Sequence, residues 1–223
     1  MNLLKKIFPL ALYALALSAA TCGFLAMAAN PTPRNSTLLL LSTHPQNDER
    51  FGAAYALFHA TGFVALDGYG HEVIVTAEHV HTSVGEYIYG YSQYTGGWLK
   101  GKYLRSGKGD LAIYLIVESQ LKKPAPVKFD CHPDFQPGHK LESWGYPVRL
   151  GGRQSYGITS GTDRVDIGGY AAPVVALPVL PGQSGSPVWT QNHRVIGMVI
   201  QYLPTALGNA ILESSEDICD TLH

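Results

Sequence analysis

One serine in this 223-residue sequence stands in a setting that suits nucleophilic catalysis. Ser184 lies between Gly182 and Gly185, where the backbone can bend sharply and bring amide groups close to a substrate carbonyl. A serine hydroxyl is a weak nucleophile until a base takes its proton and a carboxylate orients that base. The segment around Ser184 therefore requires a histidine and an acid from elsewhere in the chain.

Two residues could supply these groups. His79 follows the β-branched run of residues 73–76, which predicts an imidazole at the edge of a barrel, and it is the candidate base. Asp110 precedes the apolar run of residues 111–116, where its carboxylate would be partly buried and would need a partner such as His79. The order His79, Asp110, Ser184, with separations of 31 and 74 residues, indicates a catalytic triad.

The elements that hold these residues are predicted to be short β-strands. Charged residues make up only 15% of the chain, and 24 glycines and 14 prolines favour turns over long helices. The expected strands fall into two blocks, residues 55–66, 71–76, 87–91, 98–104 and 111–117, then 139–144, 154–160, 171–175, 187–190, 194–201 and 209–212. Two blocks of about six strands predict an all-β fold of two barrels. A terminal helix is expected at residues 214–222, capped by Ser214 or Ser215.

The predicted boundaries place barrel one at residues 51–123 and barrel two at residues 127–213. Residues 30–50 are rich in Asn, Pro, Ser and Thr around the apolar residues 38–41. This composition predicts a linker that leads into the first strand.

Residues 1–29 have the pattern of an export signal. Lys5 and Lys6 precede an uncharged, largely apolar run over residues 7–29, which is either a signal peptide cleaved near Ala28 or an uncleaved membrane anchor. In both cases the body of the chain is expected to be extracytoplasmic, whether secreted, periplasmic or membrane-anchored. The net charge of −1 argues against nucleic acid as a partner, and membrane contact is expected only through the N-terminal segment.

Cys131 and Cys219 are the cysteines of the exported body, since Cys22 lies in the N-terminal run. An oxidising compartment permits a disulfide between them. The alternative is two buried thiols, and the choice depends on a Cα separation that the sequence does not give.

Together these motifs resemble those of chymotrypsin-fold serine peptidases, in particular the trypsin-like bacterial branch that includes HtrA-type and glutamyl endopeptidases. The matching segments are residues 76–79, 110–112 and 182–187, with supporting matches at 61–64, 145–147, 159–161 and 195–197. The resemblance covers residues from about 58 to 212 and implies two six-stranded antiparallel β-barrels with a short C-terminal helix.

The resemblance also implies a role for each residue of the site. Ser184 would attack the scissile carbonyl, His79 would take and return the proton, and Asp110 would hold the imidazolium. The backbone N–H groups of Gly182 and Ser184 would form the oxyanion hole. No cofactor and no metal ion is required, and hydrolysis should fall at low pH as His79 becomes protonated.

The substrate is expected to be a protein or peptide. The resemblance lines the primary specificity pocket with Pro178, Val179, Leu180 and Pro181, sets Met198, Val199, Ile200, Gln201 and Tyr202 as the opposite wall, and places Gly208 near its back. None is acidic, which disfavours arginine or lysine, and the histidine of glutamyl endopeptidases is missing from the wall. A small or apolar side chain is the predicted preference. Gln183 replaces the aspartate of trypsin-type zymogens, so an activating ion pair is not expected and the loop should be preformed.

One alternative function and the direction of one side chain remain open. The chain could be a non-catalytic binding module of the same fold that keeps the triad residues without cleaving anything. Glu78 stands where the family usually has a small residue, and its carboxylate either lies beside His79 or points away from it. Labelling of Ser184 by a serine-directed phosphonate would separate a peptidase from a binding module.

Overall fold

A computed structural model describes residues 31–48, 52–84, 86–120, 124–148, 150–203 and 208–223, and these form two β-barrels. The predicted signal or anchor over residues 1–29 lies outside the described residues. Two short helices, α1 (Pro33–Ser36) and α2 (Glu78–Val84), accompany barrel one, and α3 (Ser215–Leu222) follows barrel two. Within the described ranges, no helix combines the length and the apolar character needed to cross a bilayer.

Barrel one is closed in the order β1-β2-β3-β6-β5-β4, with antiparallel neighbours. Its strands are β1 (Thr37–Asp48), β2 (Gly52–Leu66), β3 (Glu72–Thr76), β4 (Tyr87–Tyr91), β5 (Trp98–Ser106) and β6 (Ala112–Ser119). In β3 four consecutive residues, 73–76, are buried. A strand that is covered on both faces has such a continuous buried run, and its β-branched residues suit that position.

The first strand corrects the predicted linker. β1 pairs with β2 along its whole length and with β4 near Leu40, and the side chains of Leu38 and Leu40 are fully buried in the barrel core. The prediction that the core begins near residue 51 is therefore wrong. The polar composition of this segment concealed the strand, because the ladder hydrogen bonds of β1 are made by the backbone and do not depend on side-chain type.

Barrel two is closed in the order β10-β11-β12-β9-β8-β7, again with antiparallel neighbours. Its strands are β7 (Lys140–Gly145), β8 (Arg153–Ile167), β9 (Tyr170–Ala176), β10 (Pro187–Thr190), β11 (Val195–Tyr202) and β12 (Ala210–Ser214). The predicted all-β fold of two six-stranded barrels with a short C-terminal helix is confirmed.

The C-terminal helix is fixed by an N-terminal cap and by a disulfide from its middle. Ser214 caps it, since its hydroxyl accepts the backbone N–H of Glu216 at 3.1 Å. Cys219 on the helix forms a disulfide with Cys131, which lies in the connection between the barrels, and their Cα atoms are 5.9 Å apart. The disulfide therefore joins α3 to the inter-barrel connection and replaces the alternative of two thiols.

Candidate active site

The three predicted catalytic side chains line one cavity of about 500 Å³. Barrel one contributes His79 and Asp110, and barrel two contributes Ser184. The His79 side chain is 49% exposed and the Asp110 side chain 23%, so both reach the cavity surface while the carboxylate is the better shielded. Among the described residues, no group of three or more His, Cys, Asp or Glu side chains is placed to hold a metal ion.

The carboxylate of Asp110 holds His79 through both of its oxygens. Oδ2 lies 2.6 Å from His79 Nδ1, and Oδ1 accepts the backbone N–H of His79 at 2.8 Å. An ionised carboxylate can only accept, so the proton of the neutral imidazole sits on Nδ1 and the lone pair on Nε2. Helix α2 begins at Glu78, so its first turn presents His79 to the acid.

The helix that carries His79 is itself held against barrel one. Nδ1 of His81 lies 2.9 Å from the hydroxyl of Tyr114, and the His81 ring stacks on Tyr103 with centroids 3.6 Å apart. Burial, and to a smaller extent the negative charge of Glu78, raises the pKa of Tyr114. Glu78 is therefore a helical residue near Tyr114.

The nucleophile candidate lies in a tight turn after Pro181. Ser184 Oγ is 3.4 Å from the carbonyl oxygen of Ile200, a long contact that leaves the hydroxyl weakly held. Gly185 next to it has a φ of +88°, and a Cβ atom there would run into the backbone of Thr61. Only glycine allows the serine turn to approach barrel one this closely.

The N–H of Gly182, in the predicted oxyanion hole, is oriented by a hydrogen bond to the carbonyl of the same peptide group. The carbonyl of Pro181 accepts the N–H of Val148 at 2.9 Å, and a trans peptide directs its N–H away from its carbonyl. The Gly182 N–H is thereby turned away from Val148. Gly182 has a φ of +95°, and a Cβ atom there would lie 2.7 Å from the carbonyl oxygen of Tyr146.

The second amide is oriented in the same way. The carbonyl of Gln183 accepts the N–H of Ser186 at 2.9 Å, which directs the Ser184 N–H to the opposite side. Among the described residues, neither this N–H nor that of Gly182 donates to another protein group. Such preorganised donors can stabilise a developing oxyanion.

The side chain of Gln183 stabilises the loop from within. It is 1% exposed, and its Oε1 accepts the backbone N–H of Leu180 at 2.8 Å. The loop thus uses a neutral internal hydrogen bond at the position where the resemblance would otherwise place an ion-pairing aspartate.

Thr61, on β2, connects barrel one to the serine loop, and sequence reasoning missed this role. Its N–H donates to the carbonyl of Ser184 at 3.0 Å, and its hydroxyl donates to the carbonyl of Gly182 at 2.8 Å. The same hydroxyl accepts the N–H of Tyr146 at 2.9 Å. In the sequence Thr61 was only part of a supporting motif, and nothing local indicated a contact 121 residues away.

Glu213, on β12, is a second residue that sequence reasoning missed. Its side chain is fully buried, and Oε2 accepts the backbone N–H of Asp110 at 2.9 Å. Burial raises the pKa of Glu213 from 4.5 to about 7, and the nearby carboxylates of Asp217 and Asp110 contribute in the same direction. The available signal in the sequence was an acidic residue at the end of the apolar run 210–212, since acids without a partner are rarely buried.

This raised pKa predicts a pH-dependent stability. In the unfolded chain Glu213 loses its proton near the ordinary pKa of 4.5, whereas the folded state keeps the proton until the pH approaches about 7. The folded state therefore loses stability as the pH rises from the lower to the higher of these values. At about 1.4 kcal/mol per pKa unit, the free energy of unfolding should drop by about 3 kcal/mol from this group. Denaturant unfolding at several pH values should show this fall in the parent and lose it in Glu213→Gln. Glu118→Gln, at an exposed site, is the control, and equal pH slopes in parent and Glu213→Gln would contradict the prediction.

The cavity wall differs in part from the predicted specificity pocket. Seven predicted residues line the cavity, together with Ile167, which was not predicted; the seven are Val179, Leu180, Pro181, Val199, Ile200, Gln201 and Tyr202. Pro178 lines a neighbouring cavity instead, and Gly208 is not among the lining residues. Met198 was placed wrongly, since it is fully buried in the core. Strand β11 has a register shift between Val199 and Gln201, among the residues that line the cavity, and counting along the sequence cannot reveal such a bulge.

Comparison with known proteins gives the same picture of the fold. A sequence profile of the family described as "Trypsin-like peptidase domain" matches residues 60–198, which is more than half of the chain. No curated protein sequence matches the chain significantly.

Solved structures of proteases superpose on the chain at low sequence identity. The active form of the Rv3671c protease from M. tuberculosis has a TM-score of 0.66 at 19% identity, with 89% of this chain and 85% of that chain covered. The HtrA-type protease AlgW with a decapeptide has a TM-score of 0.68 at 15% identity, with 87% of this chain covered. The alignment spans 65% of the AlgW chain. At identities this low, the superpositions establish a shared fold and nothing beyond it.

Proposed function

Because this chain belongs to the trypsin-like peptidase domain family, we propose that it is an endopeptidase that cleaves peptide bonds through Ser184, His79 and Asp110. It is a serine-type peptidase, a hydrolase. The observation that carries the assignment of the residues is the double hydrogen bond from Asp110 to His79 at the edge of the cavity that also contains Ser184.

The chemistry follows from the tautomer of His79 that the hydrogen bond to Asp110 selects. With the proton on Nδ1, the Nε2 lone pair accepts the hydroxyl proton of Ser184 as Oγ attacks the substrate carbonyl. The oxyanion forms where the Gly182 and Ser184 amides point, and these donors need no reorganisation. The imidazolium then protonates the leaving amine, and an acyl-enzyme remains. Water, deprotonated by the same imidazole, hydrolyses the acyl-enzyme and regenerates Ser184.

The cavity wall supports a preference for small or apolar residues at the cleaved bond. Its side chains beyond the triad are mostly apolar, among them Ile167, Val179 and Val199. A charged substrate side chain would lose hydration there without gaining a partner of opposite charge. A peptide substrate also agrees with AlgW, whose structure contains a decapeptide.

We further propose that the peptidase acts outside the cytoplasm. The apolar run of residues 7–29 supports export, either as a cleaved signal or as an anchor. The disulfide between Cys131 and Cys219 supports the same location, because such bonds persist in oxidising compartments.

The proposed function is tested on residues 31–223, which form one compact unit. The protein is incubated with casein, and the cut sites are mapped by mass spectrometry. We expect cleavage after small or apolar residues and labelling of Ser184 by a serine-directed phosphonate. Cleavage after basic or acidic residues would overturn the proposed preference. A protein that neither cleaves casein nor takes the label would be a non-catalytic binding module.

A further inference from the structure

A buried acid of barrel two lies directly behind the proposed triad. Glu213, on β12, is fully buried, and its Oε2 accepts the backbone N–H of Asp110 at 2.9 Å. The two residues are 103 positions apart and belong to different barrels. A buried carboxyl is costly unless hydrogen bonds compensate for the lost hydration, so its presence in an otherwise apolar strand needs a reason.

The turn that carries Asp110 is shaped around this carboxyl. Gly109 has a φ of +63°, and any Cβ atom at this position would collide with the carboxyl of Glu213. Nearby, the N–H of Gly107 donates to the carbonyl of Leu111 at 2.9 Å and closes the turn. The barrel-one turn is thus closed on itself and packed onto an acceptor that barrel two provides.

With Glu213 in place, the backbone of Asp110 is held on both sides. Its N–H donates to Glu213, and its carbonyl accepts the N–H of Glu78 at 3.2 Å. Its side chain can then extend in a fixed direction towards His79. We propose that Glu213 is a positioning residue that fixes Asp110 and, through Asp110, the orientation of His79. This inference rests on the proposed function only in so far as His79 and Asp110 act in catalysis.

The titratable groups that surround Glu213 belong to three other parts of the fold. Asp110 lies in the turn before β6, Tyr170 on β9, and Asp217 on α3, where it accepts the Tyr170 hydroxyl at 3.1 Å. Lys108 Nζ is 3.9 Å from Asp217, exposed and beyond close hydrogen-bond range. The pKa of Glu213, raised by burial to about 7, allows both its neutral and its ionised form near neutral pH. Either form can accept the Asp110 N–H, which is what the positioning role requires.

The kinetic test compares three substitutions in the full chain. Glu213→Gln keeps an oxygen acceptor at the same reach, and we expect its kcat to stay within about threefold of the parent. Glu213→Asp keeps the charge but is one methylene shorter, and Glu213→Met keeps the volume but has no oxygen. We expect both to lower kcat by about 10–100-fold with little change in KM, because misorientation by about 1 Å weakens catalysis to this extent. Asp217→Asn is the matched control and should keep the parent kcat.

A spectroscopic readout separates this inference from the proposed function. In the Ser184→Ala background, the proton on His79 Nδ1 gives an NMR resonance that reports its hydrogen bond to Asp110 and needs no catalysis. We expect the parent resonance in Glu213→Gln and a shifted or broadened one in Glu213→Asp and Glu213→Met. If Glu213→Met does not fold, Glu213→Asp decides. Parent-like kcat and an unchanged resonance in Glu213→Asp would overturn the positioning role, whereas a shifted resonance in a chain that cleaves nothing would support it and overturn only the proposed function.

Discussion

Ser184→Ala is expected to lower kcat by about a millionfold, which is the loss typical of removing a catalytic serine. The alanine has no hydroxyl to attack the carbonyl, so no acyl-enzyme can form and only substrate binding and the oxyanion hole remain. KM should change little, because the cavity wall formed by residues such as Val179 and Val199 is untouched. Steady-state hydrolysis of a peptide identified from the casein cut sites measures both constants.

The control for this substitution lies in the same turn. Ser186 is fully buried, and its hydroxyl has no hydrogen-bond partner among the described residues. Ser186→Ala should therefore keep most of the parent kcat. A Ser184→Ala protein that retains more than about one part in a hundred of the parent kcat would mean that another group is the nucleophile.

Asp110→Asn is expected to lower kcat by about 10⁴-fold while the fold stays intact. The asparagine side chain still offers an oxygen to the backbone N–H of His79, which Oδ1 accepts at 2.8 Å in the parent. Its amide group, however, donates to Nδ1 and so favours the tautomer with the proton on Nε2. That tautomer cannot take the proton of Ser184. Peptide hydrolysis measures the loss, and circular dichroism checks the fold.

A second histidine–aspartate pair in barrel one provides a matched control. In the turn between β2 and β3, Asp67 Oδ2 lies 3.1 Å from His71 Nδ1, and Asp67 Oδ1 accepts the backbone N–H of His71 at 2.8 Å. This pair has the same hydrogen-bond pattern but does not line the cavity that contains Ser184. Asp67→Asn should leave kcat unchanged. A similar loss in both variants would show that the effect of Asp110→Asn is structural rather than catalytic.

Local patterns in the sequence predicted the terminal helix and eleven of the twelve strands found in the described part of the chain. Runs of β-branched and aromatic residues between turn residues are short-range signals, so β4 and β10 were placed at their observed bounds. The strand β1 was missed because residues 42–48, its second half, are polar or proline. Its pairing is made by backbone hydrogen bonds, which do not depend on side-chain composition.

The residues proposed to react could also be selected from the sequence. His79, Asp110 and Ser184 each have a local setting that suits a role, namely the end of a strand, the start of an apolar strand and a glycine-flanked turn. That the three line a single cavity is a property of the folded chain.

The tertiary structure alone decided how the site is held together. Thr61 reaches the serine loop across 121 residues, and Glu213 reaches Asp110 across 103. The direction of the Gly182 and Ser184 N–H groups depends on the N–H groups of Val148 and Ser186, which donate to the carbonyls of Pro181 and Gln183. Residue types do not specify these hydrogen bonds. The wall of the cavity includes Ile167 of β8, whereas Met198 of β11 packs in the core. These features arise from packing between two barrels, so a sequence pattern that reports only neighbours along the chain does not contain them.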